Sequence, residues 1–513
     1  MSTGCLKDYS GELILGKYKT DDILLMNVIY QRPTKETDYT DYAYIITKDV
    51  SDESKRLITI PNPDLLIYIV KPEFRNYTYT PSYRPLSICE QRRVKYKNVE
   101  RVVADIGGSE LKEYYEKCKA YNYAAAKNVH RYPYVLGSDV SYPSYFRTEW
   151  ALHYHNPSID TKITKQYLDI EVDGIEVPGF PTPDVCPINA VSLVDEESST
   201  VYSFLLRNPK NPLIDEFEAN INDFIDKCHS CFDESYGVLN YRIFMYDDEL
   251  KMIQQLFALI HKLRRDFVEI WNLPFDIPYF IDRLKSLGVD PRDVMCDSDF
   301  KTQILEYRKD TTTYDYKMQN NSFIITSYTT FQDQMRNYIR IRKGRNELKT
   351  VKLNAIAKME IGDEKLDYSD EADIKTLPYV DYIKFVLYNI KDTLLQMGIE
   401  RKTHDLENVF LMSINNYTPY EKLFSQTVVL KNYAYVSYYR QGYILGNNKN
   451  IDYGQARNVA NSRKKKKKEF EGALVADPML NEHIGMTIFG KPSKFVFQNV
   501  VDLDLANRSI YQR

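Results

Sequence analysis

Tyr167-Leu168-Asp169-Ile170-Glu171-Val172 alternates along its length with the period of a β-strand. Residues i and i+2 of a strand share a face, so Tyr167, Asp169 and Glu171 point one way while Leu168, Ile170 and Val172 face a core. Two carboxylates thrown together on one sheet face repel unless a cation sits between them. Donors that offer only oxygen suit Mg²⁺ or Mn²⁺ rather than zinc. Taken alone, Asp-x-Glu is a pattern that chance supplies in a chain this long, and an exposed acidic strand edge has the same appearance.

The pattern around this strand extends the reading. Residues 187–194 and 201–206 read as two further strands, followed by a helix over 248–263 with Leu250, Ile253, Leu256, Phe257 and Ile260 at helical spacing. Residues 267–271 form a fourth strand. It leads into a helix from Ile277 that buries Ile277, Phe280, Ile281 and Leu284 and stops at Gly288. Residues 322–328 are a fifth strand and 379–397 a long final helix. Three strands in a row, then alternating helices and strands, predict an α/β fold: a mixed sheet covered by helices, in ribonuclease-H-like order.

The chain has 513 residues, enough for roughly three or four domains. A hydrophobic share of 43% with 27% charged residues belongs to a globular protein and excludes wholesale disorder. Against 72 acidic residues stand 68 basic ones, a net charge of −4, which argues against a histone-like, purely electrostatic nucleic-acid binder. Seven cysteines at irregular spacings argue against a disulfide framework and suit a reducing compartment. No signal peptide opens the sequence, and its longest apolar run, 65–70, is too short to cross a bilayer, so no membrane role is expected. Short apolar stretches at 23–29, 42–46 and 65–70 predict a β-rich N-terminal domain over 1–160. Arg463 and Lys464 to Lys468 form a basic run without apolar period. A solvated loop is the ordinary explanation, and phosphate contacts through residues such as Lys464 and Lys466 are the sharper one. Cys228-His229-Ser230-Cys231 is a single Cys-x-x-Cys without the second pair a zinc site needs.

Two further stretches carry candidate chemistry. In Asn272-Leu273-Pro274-Phe275-Asp276, at a strand-to-helix corner, Asp276 is either the N-cap of the helix, with Pro278 in its first turn, or a metal-site carboxylate. In Tyr388-Asn389-Ile390-Lys391-Asp392, the i, i+4 spacing stacks a phenol and a carboxylate one turn apart. That pair could bind a metal and orient a water, or be a routine contact on an amphipathic helix.

The order of these three elements resembles the 3′→5′ exonuclease domain of family B DNA polymerases, in particular those of T-even-like phages. The likeness extends to Gly179-Phe180-Pro181-Thr182-Pro183, Pro187-Ile188-Asn189-Ala190, Ile277-Pro278-Tyr279-Phe280, Leu353-Asn354-Ala355-Ile356-Ala357 and Gly362-Asp363-Glu364-Lys365-Leu366, and covers about 165 to 400. It implies a nuclease domain over 161–400 that acts on DNA with two divalent ions about 4 Å apart. Asp169, Glu171 and Asp392 are then the metal ligands, with Asp169 bridging and Asp276 in support. Tyr388 positions the attacking water, and Asn272 and Phe275 touch the terminal nucleotides, the ring by stacking. Residues 305–328 resemble the family's β-hairpin for passing a primer end between sites. A connector over 401–475 is expected to pack on the N-terminal domain. The resemblance also implies the cytoplasm of a host cell.

Residues 476–513 resemble the beginning of a polymerase palm. In Val500-Val501-Asp502-Leu503-Asp504-Leu505, Asp504 is the preferred counterpart of the metal-binding palm carboxylate and Asp502 the second choice. The usual Ser-Leu-Tyr-Pro-Ser continuation is replaced by Ala506-Asn507-Arg508-Ser509-Ile510. No Lys-x-x-x-Asn-Ser-x-Tyr-Gly or Asp-Thr-Asp motif occurs, so polymerisation is expected to need a second subunit with the rest of palm, fingers and thumb. A sliding clamp is a further partner the family implies. A free-standing exonuclease and a non-catalytic DNA-binding subunit are the alternatives.

Overall fold

The computed structural model describes residues 23–75, 83–121, 123–153, 162–313, 319–342, 350–367, 374–446, 487–488 and 491–492. Two compact units divide it, 1–450 and 451–513. The second contributes one short antiparallel pair, Thr487–Ile488 with Lys491–Pro492. The basic run with Lys464 and Lys466, and the palm-like stretch with Asp502 and Asp504, lie outside the described residues.

In the first unit, β1 (Ile23–Gln31), β2 (Tyr42–Asp49) and β3 (Lys55–Pro61) form an antiparallel meander. β4 (Asp64–Val70) lies between β6 (Cys89–Lys95) and β7 (Val135–Leu136), while β5 (Tyr83–Pro85) pairs with β16 (Tyr443–Leu445) from far along the chain. Helices Val99–Ile106, Ser109–Tyr121 and Tyr142–His153 accompany the strands of this β-rich region. Helix Gln426–Arg440 sets Tyr435 and Val436, with Ile444, against Tyr68, Val70 and Leu136.

The central sheet has the order β11 (Asn240–Tyr246), β10 (Thr200–Leu206), β9 (Ile188–Asp195), β8 (Lys165–Val172), β12 (Phe267–Ile270), β15 (Thr330–Asp333). β9 runs antiparallel to both of its neighbours, β8 and β10, and β12 is parallel to both β8 and β15. Helices cover both faces. Leu168 and Ile170 of β8 join Ile253, Leu256 and Phe257 of helix Glu249–Leu263 and Ile277 and Phe280 of helix Leu273–Ser286. Tyr167 joins the opposite core with Phe224 and Phe232 of helix Ile221–Tyr236 and Val386 and Ile390 of helix Tyr382–Thr403. The alternation in β8 therefore sorts residues between two cores, not between a core and water.

Several elements differ from expectation. Strand β11 and helix Ile221–Tyr236 are additional. β14 (Ser322–Ile325) pairs with β13 (Leu305–Arg308) in a separate hairpin, and the sheet's fifth-strand place belongs to β15. Thr330 to Asp333 mixes apolar and polar residues over only four positions, too short for a periodic signal. The long helix runs Tyr382–Thr403 with the Asp381 carboxylate accepting from the Lys384 N–H at 2.9 Å. Among the described residues no helix is long and apolar enough to cross a membrane.

Candidate active site

The register of the sheet brings the first two motifs together. β12 ends with Ile270 opposite Leu168, so the chain leaves the sheet beside the strand position that carries Asp169. The turn after it starts helix Leu273–Ser286 at once, and Asp276 lies buried in the first helical turn. Asn272 precedes the helix without a side-chain capping bond. Asp276 is thus not the N-cap, and Pro278 sits inside the helix rather than opening it. Instead the Asp276 carboxylate takes backbone hydrogen bonds from its own N–H and that of Ile170. Ile170 lies just past the end of the β12 pairing, which stops at Leu168.

The third motif arrives on helix Tyr382–Thr403, which lies against β8 and β9 through the Thr393 hydroxyl on Ser192 at 2.8 Å. Among the described residues, Asp169, Glu171 and Asp392 form the group of three acidic, His or Cys side chains able to share one ion, with an oxygen of each within 4.8 Å of the others. Asp276 stands outside this group, but its charge is felt at both Asp169 and Glu171.

Electrostatics follows from this crowding. Burial first, then Asp392, Glu171 and Asp276, raise the Asp169 carboxyl well above the ordinary range. Burial and Asp392 push Glu171 up to about 8, and burial pushes Asp276 up to about 8. Asp392 is raised by burial, against the pull of Lys365. Acids that resist ionisation together, with only oxygen donors between them, fit a hard divalent cation whose charge would offset their repulsion.

Lys365 is a member of the site that spacing did not single out. Its Nζ contacts the Asp392 Oδ2 and lies 3.0 Å from the Tyr388 hydroxyl. Burial opposes its charge, but Asp392 and Tyr388 outweigh burial and raise its pKa. Burial, then Asp392, raises the Tyr388 phenol too, so it stays protonated. The sequence signal was present only as a residue of the Gly362-Asp363-Glu364-Lys365-Leu366 stretch.

At the rim, Asn272 is exposed and Phe275 half-buried. The Phe275 ring meets Phe180 edge to face, centroids 5.6 Å apart, and Phe180 is 74% exposed. The loop carrying Phe180 is held by the Lys375 Nζ on the Val177 carbonyl at 3.0 Å. Cys228 and Cys231 lie on helix Ile221–Tyr236, one buried and one exposed, and belong to no metal-competent group among the described residues.

Residues 153–356 match the family model for DNA polymerase family B, exonuclease domain. The match takes in Asp169, Glu171, Asn272, Phe275 and Asp276 and ends before Lys365, Tyr388 and Asp392. No curated protein matches the chain.

Proposed function

We propose that this chain removes nucleotides from 3′ ends of DNA by metal-assisted hydrolysis, on a ribonuclease-H-like domain. The observation carrying the reading is the convergence of Asp169, Glu171 and Asp392 on one 4.8 Å group, from a strand and a distant helix. The family match over 153–356 supports it.

Asp169, Glu171 and Asp392 would hold Mg²⁺ or Mn²⁺, with Asp276 in support. Bound there, a pair of such ions supplies Lewis acidity for the phosphoryl oxygens and an acidified attacking water. The protein's own part is placement and charge. Tyr388 is protonated and anchored by Lys365, so its hydroxyl orients a water rather than abstracting a proton. Lys365 keeps Asp392 paired and adds positive charge where a phosphoryl group gathers negative charge. Phe275 and Phe180 offer ring faces and edges to the terminal bases, and Asn272 a polar contact.

The test is a 5′-labelled single-stranded oligonucleotide with Mg²⁺. Stepwise shortening from the 3′ end is expected, reduced to background in Asp169→Ala plus Glu171→Ala. Normal digestion by that double variant overturns the reading.

On sequence alone, residues 500–505 would begin a palm with Asp504, or else Asp502, as its metal carboxylate, completed by a second polymerase subunit of phage type and served by a sliding clamp. Mass spectrometry of whatever co-purifies from the native cell tests this. A companion with the two absent motifs supports it, whereas a chain that purifies alone and digests 3′ ends is a free-standing exonuclease. Lys464→Glu plus Lys466→Glu tests the basic run: if these lysines contact phosphates, the double variant binds DNA more weakly and with a flatter salt dependence.

A further inference from the structure

The long helix Tyr382–Thr403 carries a buried polar seam that the metal-site reading does not use. Asn389, Thr393, Gln396 and Glu400 recur at spacings of four, three and four, one face of a helix, and each is fully buried. Each meets the β8–β9 layer: Asn389 Nδ2 with the Asp169 Oδ2 at 3.1 Å, Thr393 with Ser192, Gln396 Nε2 with the Leu168 carbonyl at 3.3 Å, and Glu400 with the Lys165 Nζ at 3.4 Å. Buried polar pairs at successive turns specify register, since a slip leaves every group without its partner.

The first of these contacts ends on a metal-site carboxylate. Two acceptors facing each other would repel, so the amide of Asn389 must turn its N–H toward Asp169. That leaves the Asn389 Oδ1 buried with no hydrogen-bond partner among the described residues. An apolar side chain there would avoid the orphaned oxygen, so stability does not account for an amide at this position. What the amide does is hold one oxygen of Asp169, a carboxylate that shares a 4.8 Å group with Glu171 and Asp392. We propose that Asn389 is a positioning residue that fixes the rotamer of Asp169, and thereby the geometry of divalent-cation binding. This rests on the nuclease reading above.

The test uses the full chain and Mn²⁺ alone, with binding measured by calorimetry. Asn389→Leu is expected to weaken Mn²⁺ binding by about 10- to 100-fold, as loss of a partner behind a metal ligand does, while the thermal midpoint in EDTA is not lowered. In 3′-end digestion the Mn²⁺ requirement should rise by a similar factor, with the rate at saturating Mn²⁺ recovering to within a few-fold. If Asn389→Leu does not fold, Asn389→Ala withdraws the donor with less steric disturbance and is read the same way. Wild-type-like Mn²⁺ affinity in a folded variant overturns the proposal alone. Wild-type chain that neither binds Mn²⁺ nor digests 3′ ends overturns the nuclease reading and this inference with it.

Discussion

Asp169, Glu171 and Asp392 converge within 4.8 Å, while Asp276 stands one step back. Removing them should therefore not be equivalent. Asp392→Ala should abolish Mn²⁺ binding measured by calorimetry, whereas Asp276→Ala should weaken it by a smaller factor, of order tenfold. Equal losses would place Asp276 among the direct ligands. Tyr388→Phe keeps the ring but removes the hydroxyl held by Lys365, so kcat should fall about 10- to 100-fold with Mn²⁺ affinity unchanged. The raised acids also set a pH dependence. A carboxyl raised in the fold binds its proton more tightly there than in the unfolded chain, so its stabilisation is complete below about pH 4 and is lost as pH rises toward 8. In EDTA the thermal midpoint should fall between pH 5 and 8, and added Mg²⁺ should raise it more at pH 8 than at pH 5. A flat profile in EDTA would mean these acids ionise freely.

At the scale of elements, helix Leu273–Ser286 shows how a motif residue can be misread. The sequence offers Asp276 and Pro278 as an ordinary helix start, yet the helix opens at Leu273, with Pro274 in its first turn. The earlier start turns Asp276 inward onto the Ile170 amide. Phe275, one residue before, stays at the rim against Phe180. Phe275→Ala should cost about 1–3 kcal/mol in binding a single-stranded 3′ end, measured by fluorescence anisotropy with the Asp169→Ala background preventing digestion. Unchanged binding would remove the stacking role. The strong periodic elements, such as β8, β9 and helix Glu249–Leu263, were legible because one residue in two, or three to four in seven, had to be apolar to reach a core. β15 was not, because four residues against β12 gain their place by pairing rather than by pattern.

For the molecule as a whole, the first three strands are tied to the central sheet by a buried ionic knot. Lys48 and Lys55, at opposite ends of the β2–β3 turn, meet Asp266 at 2.8 and 2.9 Å, and all three are buried. Burial pushes Lys55 down to about 8 despite Asp266. Asp266→Asn would leave two buried ammonium groups without their anion, a loss of about 3–5 kcal/mol, seen as a lower urea midpoint. A midpoint equal to wild type would show that these lysines find other partners. Nothing in the residue pattern joins Lys48, Lys55 and Asp266, just as nothing in it joins Lys365 to Tyr388 or Asn389 to Asp169. By itself the sequence determined the strand with its paired acids, the corner after β12 and the phenol–carboxylate turn, because each depends on neighbours within a few residues. Only the tertiary structure decided that Asp276 turns inward, that Lys365 completes the site and that both faces of β8 are buried. Those facts depend on contacts between distant segments, where burial, charge and one shared amide choose among arrangements that local spacing leaves equal.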